Sequence, residues 1–171
     1  MSRRITVVVA REMPYPRDEA LNAIWQIKNI ERTEVKADAV DVSPISPRSG
    51  TYKVTGRFAG KRWDGEFAYD LNEGGFHSRD ANVPPSEARI EGGFVVTPLA
   101  EGCTVIHYEQ YVLARYLLPI KFLIQAYLRW SMRRELRDLE ALVGRKPAPT
   151  TAATPSVREL PGKLTAVSGN G

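Results

Sequence analysis

The sequence predicts an α+β fold in which one curved antiparallel β-sheet wraps around a long C-terminal helix. Three observations carry that expectation. Leu117 to Gly144 (LLPIKFLIQAYLRWSMRRELRDLEALVG) reads as one helix beginning near Pro119, a residue suited to a first turn, and stopping at Gly144. From Val35 onward, runs of alternating polarity are separated by glycine-rich breaks, the pattern of strands with one dry and one wet face. The order is strand, short helices, a long run of strands and one terminal helix, which differs from an alternating βαβ plan.

The chain has 171 residues, 43% of them hydrophobic, enough for one well-filled domain over 1–144. After Gly144 the composition turns to Pro, Thr, Ser, Ala and Gly with no periodic apolar stripe, so 145–171 reads as a disordered tail. The net charge of +4 is compatible with an acidic partner without requiring one. Cys103 is the sole cysteine, so no internal disulfide can form. The apolar stretch Ile5 to Ala10 is too short for a signal peptide, and Leu117 to Leu128 is too short to span a bilayer and is interrupted by Lys121 and Gln125. A cytoplasmic protein is the expectation.

In chain order, Ile5 to Ala10 is almost wholly β-branched and suits a buried strand. Pro16 opens a short helix with Asp18 and Glu19 in its first turn, where the helix dipole favours acids, and Leu21, Ile24 and Trp25 share its buried face. Gln26 to Thr33 reads as a second short helical turn or a loop. VKADAVDVSPI is the next strand. GTYKVTGRFAG and KRWDGEFAYDL follow as a hairpin turning at Ala59-Gly60. Tyr52, Val54, Phe58, Trp63, Phe67 and Tyr69 fall on its dry parity, whereas Lys53, Arg57, Asp64, Glu66 and Asp70 fall on the wet one. GFHSRDA is a short strand, and EARIEGGFVVTPL and GCTVIHYEQYVL form a second hairpin around Ala100-Glu101-Gly102. The terminal helix carries Leu128, Met132, Leu136, Leu139 and Val143 on one side, while its first half is apolar nearly all round.

This order of elements resembles the SRPBCC superfamily, whose members are also called START-like or helix-grip proteins. The fragments that carry the likeness are Pro16 followed by Ala20-Leu21, GGFVVTPLAEGCTVIHYEQ from Gly92 to Gln110, and the helix ending RRELRDLEALVG. It covers residues 3 to 144. One departure is the absence of an aromatic residue at Ala20-Leu21, with Trp25 arriving later. The resemblance implies two short helices after the first strand, and a cavity between sheet and terminal helix for a lipid, an isoprenoid or a polyketide-like molecule. It aligns Thr104, Ile106, Tyr108, Gln110 and Val112 with the inward parity, so that Tyr108 and Gln110 would orient a ligand in a greasy interior. Phe67, Tyr69, Phe94, Val96, Leu123 and Tyr127 are wall candidates and Trp25 a further ligand-binding candidate; plain core is the more ordinary reading of each wall residue.

Two histidines without clustered Cys or carboxylate spacing give no expectation of a metal, and no cofactor is expected. His107 and Glu109 are expected on the outer face, and His77 has no identifiable partner. The leading functional expectation is non-catalytic binding or transport of a hydrophobic small molecule. The alternative is a cyclase/dehydratase-type enzyme with an inward acid/base, for which Tyr108 with Arg89 or His107 is the best available set. Leu123, Tyr127 and Trp130 lie opposite the Leu128–Met132 stripe amid arginines. Their cover is either the first helices, a second subunit in a homodimer, or an anionic membrane met through Tyr127, Trp130 and Arg129. No basic strand face with interleaved aromatics suggests nucleic acid.

Overall fold

The computed structural model describes residues 3–58 and 60–145. The tail expected beyond Gly144, apart from Arg145, and Ala59 of the expected hairpin turn lie outside the described residues. Seven strands, β1 (Arg4–Met13), β2 (Ala37–Ser46), β3 (Ser49–Phe58), β4 (Lys61–Asn72), β5 (Gly75–Asp80), β6 (Ile90–Leu99) and β7 (Gly102–Val112), form one antiparallel sheet. Its order is β1-β7-β6-β5-β4-β3-β2. Neighbours in sequence are neighbours in space except where β1 closes against β7, which places the first strand beside the last. Helices α1 (Arg17–Trp25) and α2 (Ile30–Thr33) follow β1, and α3 (Lys121–Val143) ends the described chain.

Local chemistry explains the boundaries. Pro16 precedes α1, and its carbonyl accepts from the Glu19 and Ala20 amides. Gly60 takes a φ of +79° at the β3–β4 turn, a left-handed conformation that glycine adopts without steric cost. Pro119 lies in a 3-10 turn over Arg115–Ile120, so α3 starts at Lys121. Gly144 keeps a right-handed φ of −69°, so its smallness matters there rather than its flexibility. A Cβ at Gly144 would sit 2.3 Å from the Tyr15 hydroxyl.

One face of the sheet and one stripe of α3 close on each other. Leu128, Met132, Leu136 and Leu139 are at most 3% exposed and join Ile5, Val7, Val9, Val54, Phe67, Phe94 and Val105 in a single core. Ala20, Leu21 and Ile24 of α1 cover the same core from its end. Arg11 of β1 pairs with Glu140 of α3 at 2.5 Å, tying the sheet edge to the last turns of the helix. The dry parity expected for β3 and β4 is the buried one, and Lys53, Arg57, Asp64 and Asp70 face water. No helix among the described residues is long and apolar enough to cross a membrane.

Candidate functional site

Between the sheet and the first half of α3 the packing leaves a cavity of about 360 Å³. Its walls are Tyr52, Phe58, Trp63, Phe67, Phe76 and Phe94 from the sheet, Ile30 from α2, and Ile124 and Leu128 from α3. The rings form a continuous surface: Tyr52 stacks on Phe67 at 5.3 Å, and Phe76 meets Phe94 at 6.3 Å. A pocket of this size and lining suits a largely apolar small molecule.

Set into this apolar shell is a buried cluster of ionisable groups: Glu34 and Lys36 before β2, His107, Glu109 and Tyr111 on β7, and Glu135 on α3. Close approach of backbones positions Lys36. Its carbonyl accepts from the Arg57 amide and from the Trp63 indole, both at 3.1 Å. A Cβ at Gly56 would fall 1.8 Å from that carbonyl oxygen, so only glycine fits there. The Lys36 ammonium donates to both Glu109 carboxylate oxygens at 3.0 and 3.1 Å and lies 3.5 Å from Glu34. The Tyr111 hydroxyl donates to Glu109 at 2.9 Å. His107 lies between two acids, with Nε2 3.8 Å from Glu109 and Nδ1 3.3 Å from Glu135.

Burial acts differently on each member. It opposes ionisation of Glu109, but Lys36, His107 and the Tyr111 hydroxyl override it and hold that carboxyl below the usual range. Burial also opposes the charge on Lys36, and Glu109 and Glu34 override it to keep the ammonium firmly protonated. For Glu135, burial is reinforced by the Glu34 and Glu109 carboxylates, so it stays protonated well above the ordinary carboxylate range. Burial raises Glu34 as well, with Lys36 opposing. His107 is pushed down to about 4, chiefly by burial, and is neutral at pH 7. Its Nε2 faces the ionised Glu109, which favours the proton on that nitrogen and leaves Nδ1 as an acceptor. Despite their proximity, His107 Nδ1 and Glu135 Oε2 make no hydrogen bond among the described residues, and neither does the buried Ser131 hydroxyl one turn earlier on α3.

His107, Glu109 and Glu135 offer ligand atoms within 4.8 Å of one another, which is metal-like spacing. The arrangement does not suit one ion. The two carboxylates face opposite nitrogens of the imidazole, and the Lys36 ammonium already occupies Glu109.

The structure brings some expected residues together and not others. Phe67 and Phe94 line the cavity. Tyr69 and Val96 are buried in the core, beyond the lining. Trp25 donates its indole N–H to the Gly75 carbonyl at 3.1 Å, fastening α1 to β5, and is not among the cavity's lining residues. Tyr127 packs edge-on against Phe58 at 5.2 Å behind the wall, and Leu123 is 54% exposed. The parity expected for β7 is reversed. Cys103, Val105 and His107 are the buried residues, whereas Tyr108 and Gln110 lie on the opposite face of the sheet. There Tyr108 meets His77 Nδ1 at 2.8 Å, giving that histidine a partner, and Gln110 accepts from Thr6 at 3.4 Å. Arg89 is exposed, so of the expected acid/base set His107 alone reaches the cavity.

The signal that would have corrected the parity was present in the sequence. A two-residue turn at Ala100-Glu101 pairs Phe94 with His107 and Val96 with Val105. Directly opposed residues share a face, so an inward Phe94 carries His107 inward with it. Ser131 and Glu135 likewise follow Leu128 at helical spacing and share its buried side. Glu34 and Lys36 left no comparable trace.

No protein-family model matches the sequence, and neither does any curated protein. Solved structures do match. The Thermus thermophilus protein TTHA0849 superposes with a TM-score of 0.68 at 18% identity, over 81% of this chain and 97% of that one. The Zhui aromatase/cyclase from a Streptomyces species gives 0.69 at 10% identity, over 83% and 94%. The Panax ginseng major latex-like protein 151 gives 0.60 at 11% identity, over 81% and 97%. At such identities the likeness speaks to architecture alone: the chain has a helix-grip fold, one antiparallel sheet closed on a long C-terminal helix.

Proposed function

We propose that this protein binds and carries a hydrophobic small molecule, of lipid, isoprenoid or polyketide-like character, in the cavity between sheet and α3. The observation that supports this most is an aromatic-walled space of about 360 Å³ with a polar cluster at one side, room for an apolar body and an anchor for a polar group. The protein purified natively and examined by mass spectrometry, with organic extraction of bound material, tests it. Co-purifying apolar ligand, or micromolar affinity for a panel of fatty acids, quinones and fused-ring phenols, is expected. A chain that carries nothing and binds none of them refutes the reading.

A cyclase- or dehydratase-type activity is the second reading, favoured by the pairing of a protonated Glu135 with the unprotonated Nδ1 of His107. Under it, Glu135→Gln and His107→Gln abolish turnover of a cyclisable polyketone while binding persists; unchanged turnover in both variants refutes it.

Delivery at an anionic membrane surface fits the carrier reading. Tyr116, Phe122, Leu123 and Trp130 are 80%, 66%, 54% and 49% exposed, and residues 115–134 hold five Lys or Arg and no acid. Arg129 is exposed beside them, whereas half-buried Tyr127 supports the patch from behind. Co-sedimentation with phosphatidylglycerol vesicles but not with phosphatidylcholine vesicles is expected, and is lost in Phe122→Glu/Leu123→Glu. Equal binding to both, or concentration-dependent dimerisation that buries the patch, refutes it.

A further inference from the structure

The charge balance inside the cavity narrows what its ligand carries. Among the lining residues, Glu34, Glu91, Glu109 and Glu135 are acids and Lys36 is the sole lysine or arginine. Lys36 is committed to Glu109 by two hydrogen bonds and is only 5% exposed, so it cannot also receive an anionic ligand. Glu34 and Glu135 therefore share surroundings with an excess of negative charge that the cavity lining does not neutralise, and a proton held on Glu135 offsets part of it.

Three buried atoms in this region lack a hydrogen-bond partner among the described residues: Glu135 Oε2, His107 Nδ1 and Ser131 Oγ. Glu135 and His107 are each 3% exposed and both line the cavity. With Nε2 protonated towards Glu109, His107 Nδ1 accepts; an ionised Glu135 accepts as well, and so can the serine hydroxyl. An alkylammonium supplies up to three donors from one point charge, which matches the paired acceptors His107 Nδ1 and Glu135 Oε2, 3.3 Å apart on the cavity wall, better than a carbonyl or a carboxylate does. The aromatic walls are compatible with such a charge. The Lys36 ammonium already lies 5.9 Å from the centre of the Tyr111 ring, and the Phe94 ring stacks on His107 at 4.2 Å.

We propose that the ligand is an amphipathic organic cation, an apolar and preferably aromatic amine whose ammonium seats between Glu135 and His107 while its body fills the aromatic cavity. This rests on the hydrophobic-ligand reading and specifies its polar end. A proton balance follows. Burial and the neighbouring carboxylates favour a proton on the hydrogen-bonded Glu34–Glu135 pair, and that proton leaves to solvent as the ammonium takes its place. Glu34, Lys36, Tyr52, His107, Glu109 and Tyr111 are the other titratable groups facing Glu135 across the cluster.

The test compares naphthylethylamine, naphthylethanol and naphthylacetic acid by calorimetry at pH 7, in two buffers of different ionisation enthalpy. The amine is expected to bind about tenfold to a hundredfold tighter than the alcohol. The acid binds weakest. The amine alone releases close to one proton, seen as a buffer-dependent heat. Glu135→Gln removes both the amine preference and the proton release, with a far-ultraviolet circular dichroism spectrum and thermal unfolding transition that show the variant is folded. An alcohol that binds as well as the amine, or an amine preference that survives in Glu135→Gln, overturns the assignment and leaves hydrophobic binding intact. Failure of all three probes overturns the assignment, and the hydrophobic-ligand reading falls with it only if fatty acids, quinones and fused-ring phenols also fail to bind.

Discussion

Replacing Lys36 by methionine keeps most of the side chain's volume and removes the cation of the buried cluster. Glu109 then loses a partner at 3.0 Å and Glu34 one at 3.5 Å, with side chains that are each only 12% exposed. Breaking a buried ion pair from one side costs about 3–5 kcal/mol, because the remaining charge is left without compensation. The sign of the pH dependence follows from the carboxylates. In the native protein Glu109 is held below its ordinary value, so its pairing stabilises above about pH 4.5 and is lost as pH falls through its depressed folded pKa. In Lys36→Met the carboxyl moves above its ordinary value, so the variant loses stability as pH rises from about 4.5. The difference between the two proteins should therefore be largest at neutral pH and shrink on acidification. Urea unfolding followed by tryptophan fluorescence at pH 7 and pH 4.5 measures it. A loss of about 3–5 kcal/mol at pH 7 that falls by half or more at pH 4.5 is expected. A loss below about 1 kcal/mol at pH 7, typical of an exposed pair, or one undiminished at pH 4.5, refutes the account.

Three further outcomes are expected. His107, displaced from 6.5 to about 4, binds a proton more readily unfolded than folded between those values, so it makes stability rise with pH there. At 1.36 kcal/mol per unit this amounts to about 3 kcal/mol, and denaturation profiles of His107→Gln should lack that rise. Glu135 is raised, so its contribution runs the other way, diminishing stability as pH climbs above about 4.5; Glu135→Leu should be more stable relative to the native protein at pH 8 than at pH 5. Leu136→Ala, at a side chain 1% exposed in the α3–sheet contact, should cost about 2–5 kcal/mol by thermal or urea unfolding. A loss under about 1 kcal/mol would place that helix face outside the core.

The site divides according to what periodicity can register. Tyr52, Val54 and Phe67 are readable as inward because each alternates with a polar neighbour along its strand. In β7 both parities mix apolar and polar residues, so alternation selects neither face, and the inward side carries His107 and Glu109, residue types that water ordinarily claims. Glu135 is hidden for the same reason inside a stripe otherwise made of leucine and methionine.

From the sequence alone came the order of elements, the antiparallel plan, the short helices after the first strand and the long helix with its buried stripe. All of these are set by spacing along the chain: period two in strands, three to four residues in helices, and glycine or proline at the breaks. Tertiary structure alone decided that Glu34, Lys36, Glu109 and Glu135, dispersed over about a hundred residues, meet as one buried cluster. A carboxylate or an ammonium enters an apolar interior only when compensating groups arrive from other elements. Which groups those are depends on how the segment before β2, strand β7 and helix α3 are placed against one another, and no local pattern records that placement.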